Sequence, residues 1–527
     1  MNAFPLNLFA SRAALLNSAM LCASSAAFAA DGTWTGTAAG NWSDPLSWNS
    51  GVVADDAGFT ALFTSDIPAA TVVTLDTART IGNLTFSDNG ANGSAWTISG
   101  ANALTLAGGT TSTIETITSA TISTVIAGTN SLTKTGGQTL TLSGANTYSG
   151  GTILNGGTVA ISNATAFGSG AITVSGNSAI SVGTAFSNNI GINSGVTLSL
   201  SGGFINVNGV ISGAGNLTAT NSIHLRGTNT YTGNTTVTNG YLCIDKEANL
   251  GATPGAFNAA SLTLSGGGYV SNYIAPAAIS LNANRGITLT SGNTGGFDVV
   301  GNTLTVNGII AGTGSFRKSG NSALILTGQN TYSGGSIINT GELRSEMGTS
   351  ATGAYTPFGS GSVTANTGTT LRFRAGSTTN TYTIANAINL NSATLAYEDG
   401  NHILSGNVAV TGTNTINGVW GGKTLTLSGV LSGAGAITHS GSSTMTLSGA
   451  NTWTGNLAIT GGKVIVGGSG RLNSSAYAGT IALSTGTSLE HGSSTNQALT
   501  GVISGAGSLI KNGGAGVLTL SGTSNNT

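Results

Sequence analysis

Charge is what this chain has least of. Lys and Arg total 15 and Asp and Glu 16 in 527 residues, so charged residues make up 6% where about 25% is ordinary. The balance is −1 and no basic stretch gathers, which excludes a phosphate-neutralising stripe and, with it, a nucleic-acid partner. The same shortage excludes an acidic or basic disordered tail, and too little Glu and Lys excludes a coiled coil. With 6 prolines and no glycine period of three, collagen is excluded as well. Cysteine occurs twice, at Cys22 and Cys243. The first lies in a segment expected to be cut away, leaving no intrachain disulfide. Beyond the N-terminus no apolar run reaches the ~20 residues of a membrane span, and no sustained helical periodicity occurs.

What is present is glycine, 84 residues, with abundant Thr, Ser, Asn, Val, Ile and Leu, a mixture that favours strands punctuated by turns. Residues 1–30 read as an export signal: Arg12, the apolar run AALLNSAMLCASSAAFAA, then Ala27-Phe28-Ala29 as the small-x-small cleavage pattern. The chain is therefore expected to leave the cytoplasm.

An internal repeat dominates the rest. LTLSGANTYSGGTI, IHLRGTNTYTGNTTV, LILTGQNTYSGGSI and MTLSGANTWTGNLAI align on Gly144, Gly227, Gly328 and Gly449. Two residues on stand Asn146, Asn229, Asn330 and Asn451, and two further on Tyr148, Tyr231, Tyr332 and Trp453. Upstream of each block lies a second piece: VIAGTNSL from Val125, VISGAGNL from Val210, IIAGTGSF from Ile309 and VLSGAGAI from Val430, with VISGAGSL again from Val502. Asn130 fills the slot of the second glycine in the first copy. Because Asn best replaces Gly at positive φ, that slot is expected to be left-handed.

Apolar residues alternate within the blocks (Leu140/Leu142, Leu324/Leu326), and period two means short strands with one face inward. One such strand cannot bury its face alone, whereas stacked turns can. The expected fold is all-β, a right-handed parallel β-helix. At ~20 residues per coil it would hold about 25 coils, roughly 120 Å at ~4.8 Å each. Tandem β-sandwich modules are the alternative. Residues 101–527 form the repeat region. Residues 31–100 hold four of the 6 tryptophans and are expected to cap the helix end, although Trp34, Trp42 and Trp48 also suit stacking on a glycan.

The pattern L-x-L-[ST]-G-x-N-T-[YW]-[ST]-G resembles the passenger-associated transport repeat of autotransporters, also called the autotransporter-associated β-strand repeat. The resemblance implies a secreted or surface-displayed passenger of a Gram-negative cell, acting as stalk, adhesin or matrix component. Surface glycans, other cells or copies of itself are then its expected partners. It also implies an outer-membrane translocator barrel. The sequence runs into a fifth copy and stops at Thr527, so that barrel is expected in a longer product or on another protein.

Catalytic chemistry is sparse. A β-helix polysaccharide lyase or hydrolase needs clustered carboxylates with a basic partner. Glu398-Asp399 are expected to point to opposite faces, Asp245 and Glu247 to lie in a solvated loop, and Arg372 and Arg374 to be a solvated basic pair without matching carboxylates. His224, His402, His439 and His491 show no metal-ligand spacing. His439 aligns with Lys134, Lys318 and Lys511 at what is expected to be a surface position, and Cys243 reads as a packed side chain. No cofactor, metal site or catalytic set is expected.

Overall fold

A computed structural model of the protein describes residues 30–348, 353–474 and 476–526; the export signal lies outside these, Ala30 excepted. Short strands follow one another, and every ladder between them is parallel. Three 3-10 turns, Pro45–Ser47, Asn49–Gly51 and Glu247–Leu250, are the helical elements among the described residues. No helix there is long and apolar enough to cross a membrane. The chain winds through about 22 turns of a right-handed parallel β-helix, and the sandwich alternative falls because the ladders pass without a break from turn to turn.

Alternation produces this architecture directly. Leu140, Val159, Ile180, Leu200, Ala219, Val237, Leu264 and Leu289 are successive register partners across eight turns. All eight are buried. A one-residue slip in any strand would turn its inward residues to solvent, so the hydrophobic pattern itself fixes the register. Each buried Leu or Ile contributes on the order of 1.5–3 kcal/mol, and no turn buries its own face without its neighbours.

The turns are longer than expected, roughly 23 residues on average against the ~20 of a minimal repeat. About 22 turns at ~4.8 Å therefore give a column on the order of 100 Å, shorter than the sequence suggests. The extra residues lie in protruding corners: Gly32 pairs with Ala61, Gly40 with Val73 and Val237 with Leu264. The stretch expected to be a cap thus already carries ladder strands from Gly32 onward.

Two expectations about corners are corrected. Left-handed backbone belongs to the first glycine of the upstream piece: Gly128, Gly213, Gly312, Gly433 and Gly505 have φ of 114, 98, 106, 99 and 101°. Asn130 fills the second slot, which is not left-handed. Its Nδ2 donates to the Gly108 carbonyl at 3.2 Å and to Ser112 Oγ at 3.1 Å.

At Lys134, Lys318 and His439 the Lys/His position is likewise not on the surface, whereas Lys511 in the strand Ser508–Lys511 is exposed as expected. In the strand Ser131–Thr135 burial alternates, and Lys134 shares the inward face with Leu132. Lys134 Nζ donates to the carbonyls of Thr135, Gly136 and Gly156 at 2.7, 2.9 and 3.3 Å. Lys318 repeats this with Ser319, Gly320 and Thr340 at 2.9, 2.6 and 3.1 Å. The left-handed corners at Gly136 and Gly320 coincide with inward carbonyls that need a donor, and the ammonium supplies three. Burial pushes both amines down to about 8. His439 serves the same corner with one bond, Nε2–H donating to the Ser443 carbonyl at 3.3 Å.

Candidate functional site

The repeat residues turn out to be the fastening between turns. A side chain at Gly144 or Gly449 would place its Cβ 2.2 Å from the carbonyl oxygen of Thr124 or Gly429 in the turn before, so glycine is kept for close approach. Two residues on, the Asn146 carboxamide reaches both ways. Its Oδ1 accepts the Ile126 N–H at 2.8 Å, and its Nδ2 donates to the Ala166 carbonyl at 2.6 Å. Asn229 joins Ile211 to Asn249, and Asn330 joins Ile310 to Pro357. Asn451 accepts from Leu431 at 2.7 Å, but its buried Nδ2 has no partner.

The aromatic slot carries a linked substitution. Tyr148, Tyr231 and Tyr332 are buried, and each hydroxyl bonds a hydroxyl four residues on: Thr152 at 2.7 Å, Thr235 at 2.7 Å and Ser336 at 2.6 Å. Burial pushes all three phenols above their ordinary range. In the fourth copy the residue four on is Leu457, and there Trp453 donates its indole N–H to the Gly435 carbonyl at 2.7 Å. Thr152→Ala is expected to cost about 1–2 kcal/mol by orphaning the Tyr148 hydroxyl. In a Tyr148→Phe background the same change should cost much less, and a denaturation double-mutant cycle reads that coupling.

Trp34, Trp42 and Trp48 do not form a glycan platform. They are 0, 0 and 2% exposed, and they pack on one another and on Phe63 with ring centroids 5.2–6.1 Å apart. Their indole N–H groups donate to the carbonyls of Gly36, Ala54 and Trp42. With rings enclosed and donors satisfied, no face is left for a sugar. Nearby aspartates organise loops: Asp88 accepts the N–H groups of Ile67, Gly90 and Ser94, which hold its carboxyl below the usual range.

The charged residues are also not where spacing put them. Arg372 pairs with Glu342 at 3.0 Å and with Glu398. Arg374 meets Glu346 at 2.9 Å and Asp399 at 3.3 Å, and Arg344 meets Glu342 at 2.8 Å. The matching carboxylates thus exist, one turn above and below. Glu398 and Asp399 converge on the same guanidinium because the chain bends at Asp399, φ 54°. This is a carboxylate cluster with basic partners, yet each member is held in an ion pair. Asp245 and Glu247 stay on a turn, where Glu247 lies 3.5 Å from Arg285. Among the described residues no group of three His, Cys, Asp or Glu could hold a metal ion.

A cleft of about 610 Å³ lies on one face, where the second repeat copy departs from the others. That copy has Ala219 where the first and third have lysine, and its corner bends through Asn221 and Ser222 at φ 55 and 69°. The floor is a column of register partners across five turns: Asn206, His224, Cys243, Ser271 and Asp298. Two residues earlier stand Phe204, Tyr241 and Tyr269, with ring centroids 5.9 and 5.6 Å apart, the first pair stacked and the second tilted. Two residues later come Arg226, Asp245 and Tyr273. Phe204 is held at φ 57° and is 61% exposed, an uncommon conformation for a bulky residue. On the opposite wall Tyr273 and Ile274 project from a turn pinned by Asn272, whose Oδ1 accepts from Val300 N and Gly301 N.

The floor's chemistry favours binding over catalysis. Ser271 Oγ donates to Asp298 Oδ2 at 3.2 Å. Burial, with Asp298 adding to it, pushes the Cys243 thiol up to about 11, so it is no thiolate nucleophile. Burial, with the Arg226 guanidinium nearby, holds the His224 imidazole below its usual range while Asp245 pulls the other way. His224 is 6% exposed, and its Nε2 has no partner. Of these residues only His224, Cys243 and Asp245 drew notice in the sequence, none of them as a binding residue.

Residues 132–161, 316–344 and 437–466 match the passenger-associated-transport-repeat family. The three segments carry Lys134, Lys318 and His439 at their corners, and the second copy, which carries Ala219 and the cleft, falls outside them. No curated protein and no solved structure matches the chain.

Proposed function

We propose that this chain, with its three passenger-associated transport repeats, is an exported passenger: a rigid, charge-poor rod displayed at or released from a Gram-negative cell surface. There it works as a stalk and adhesive element through many weak contacts. The observation that carries this is the seating of the three family repeats at one recurring corner of a single continuous β-helix. A rod of about 22 turns repeats similar Thr, Ser and Asn surfaces along its length, and weak contacts made simultaneously multiply in avidity.

Among the described residues, the Arg372–Glu398 cluster is the one feature that would favour a polysaccharide-cleaving enzyme. Its closed pairing supports instead a surface brace across neighbouring turns. Expression in a Gram-negative host tests the proposal. With an outer-membrane translocator supplied, the chain should be digested by protease added to intact cells or be recovered from the medium, and purified protein should coat cells or self-associate. A chain recovered only from the cytoplasm, or one that adheres to nothing, would overturn it, and release of reducing ends from acidic polysaccharide would favour the enzyme.

A further inference from the structure

We infer that the cleft above Asn206, His224, Cys243, Ser271 and Asp298 is a binding site for a neutral hexose glycan, taking about two sugar units. The inference rests on the surface-rod reading and names what such a rod would hold.

The floor sets the class. It offers donors at His224 and Arg226 and acceptors at Asp298, Asn206 and the Ser271 hydroxyl oxygen, whose proton is given to Asp298. A hydroxyl both donates and accepts, so a polyhydroxyl ligand satisfies such a mixed set without regard to order. His224 is nearly enclosed, lines the cleft and has an unpartnered Nε2. A buried polar atom of this kind calls for a partner. Phe204, Tyr241 and Tyr273 supply apolar surface beside it, against which the C–H faces of a pyranose pack. The floor residues recur once per turn, at ~4.8 Å, close to the length of one hexose in an extended chain. The volume of about 610 Å³ falls within the ordinary range for a small-ligand site.

Other occupants fit less well. An extended peptide would need open backbone groups, and those of the floor strands are used in ladders on both sides. A nucleic acid or strongly anionic sugar would need an excess of positive charge, whereas the lining sets one arginine, Arg226, against one aspartate, Asp298. The site also sits where the repeat rule is broken, with left-handed residues at Phe204, Asn221, Ser222 and Asn239 making up half of the eight non-glycine cases among the described residues. Local departures from an otherwise regular sequence concentrate at functional places.

Saturation-transfer NMR on the purified full chain tests the assignment, with cellobiose, maltose and lactose as neutral probes and digalacturonate as the anionic one. At least one neutral disaccharide should receive saturation. Tyr273→Ala and Asp298→Asn should each weaken it tenfold or more, while Trp420→Ala, an exposed aromatic elsewhere, leaves it unchanged. Tyr273 is 64% exposed on its turn, so its removal should leave the fold intact, which circular dichroism checks. No transfer to any neutral sugar, transfer to digalacturonate alone, or equal binding by all three variants would overturn the assignment. Binding is read on purified protein and display on cells, so the two proposals fail separately.

Discussion

Asn330→Ala is expected to open the β-helix locally and to cost on the order of 2–6 kcal/mol. The carboxamide accepts the Ile310 N–H at 2.8 Å and donates to the Pro357 carbonyl at 2.6 Å, so it holds three successive turns together. Alanine leaves both groups buried and unpaired, and each costs about 1–3 kcal/mol. The molecule carries its own control. Asn451 makes only the accepting bond, with Nδ2 unpartnered, so Asn451→Ala should cost about half as much. Stacked turns open in sections, so amide exchange around Ile310 and Leu431 is the measurement to make. Equal losses at the two sites would show that the bridging bond to the turn above contributes nothing.

Mild acid should loosen one section before the others. His402 is fully buried, with the rings of Phe373, Tyr382 and Tyr397 at centroid distances of 6.0, 6.1 and 6.3 Å. Its Nε2–H donates to the Glu398 carbonyl at 3.1 Å, and its Nδ1 has no partner. Burial lowers its pKa from 6.5 to about 4, although the Glu398 carbonyl and Asp399 oppose the shift.

The unfolded chain therefore takes up a proton near pH 6.5 and the folded one only near pH 4. Stability is complete above 6.5 and declines as pH falls toward 4, by about 3 kcal/mol for this group. His224, His439 and His491 are shifted in the same direction, so none of the four offsets the loss. Amide protection in the strand Asn401–Leu404 and its partners Thr381–Ile384 and Thr424–Leu427 should drop roughly a hundredfold. His402→Phe should abolish that sensitivity there; a variant as acid-labile as the parent in this section would refute the assignment.

The architecture was legible because its signal is local. Alternation at Leu140/Leu142 and Leu324/Leu326, with glycine at the corners, needs only neighbouring residues to be read. Lys134 and Lys318 show where expectation overrode that signal. Each stands two residues after an inward side chain, Leu132 or Phe316, so parity already placed them inside. The rule that lysine stays in water pointed the other way, and corner carbonyls, invisible in sequence, decided the matter.

The cleft was hidden for a different reason. Asn206, His224, Cys243, Ser271 and Asp298 line up only because successive turns advance by 18, 19, 28 and 27 residues, and no constant period finds such a column. The same irregular spacing concealed the carboxylates that meet Arg372 and Arg374, whose partners stand 24 to 30 positions away along the chain. For the tryptophans, composition alone could not distinguish a plug from a platform. Enclosure of the rings and satisfaction of their N–H groups made the difference.

The bond between Tyr148 and Thr152, and its replacement in the fourth copy by Trp453 bonded to Gly435 with Leu457 four residues on, bear on how a chain of this kind can be shuffled. Duplication or crossover that joins two copies upstream of the aromatic, or downstream of the residue four positions on, transmits a matched set. A breakpoint falling within those four residues would give a phenol without its hydroxyl partner, or an indole beside a threonine. Lengthening or shortening by genetic exchange is thereby tolerated at some seams and penalised at others, and the seams are set by one side chain's need for a donor or acceptor.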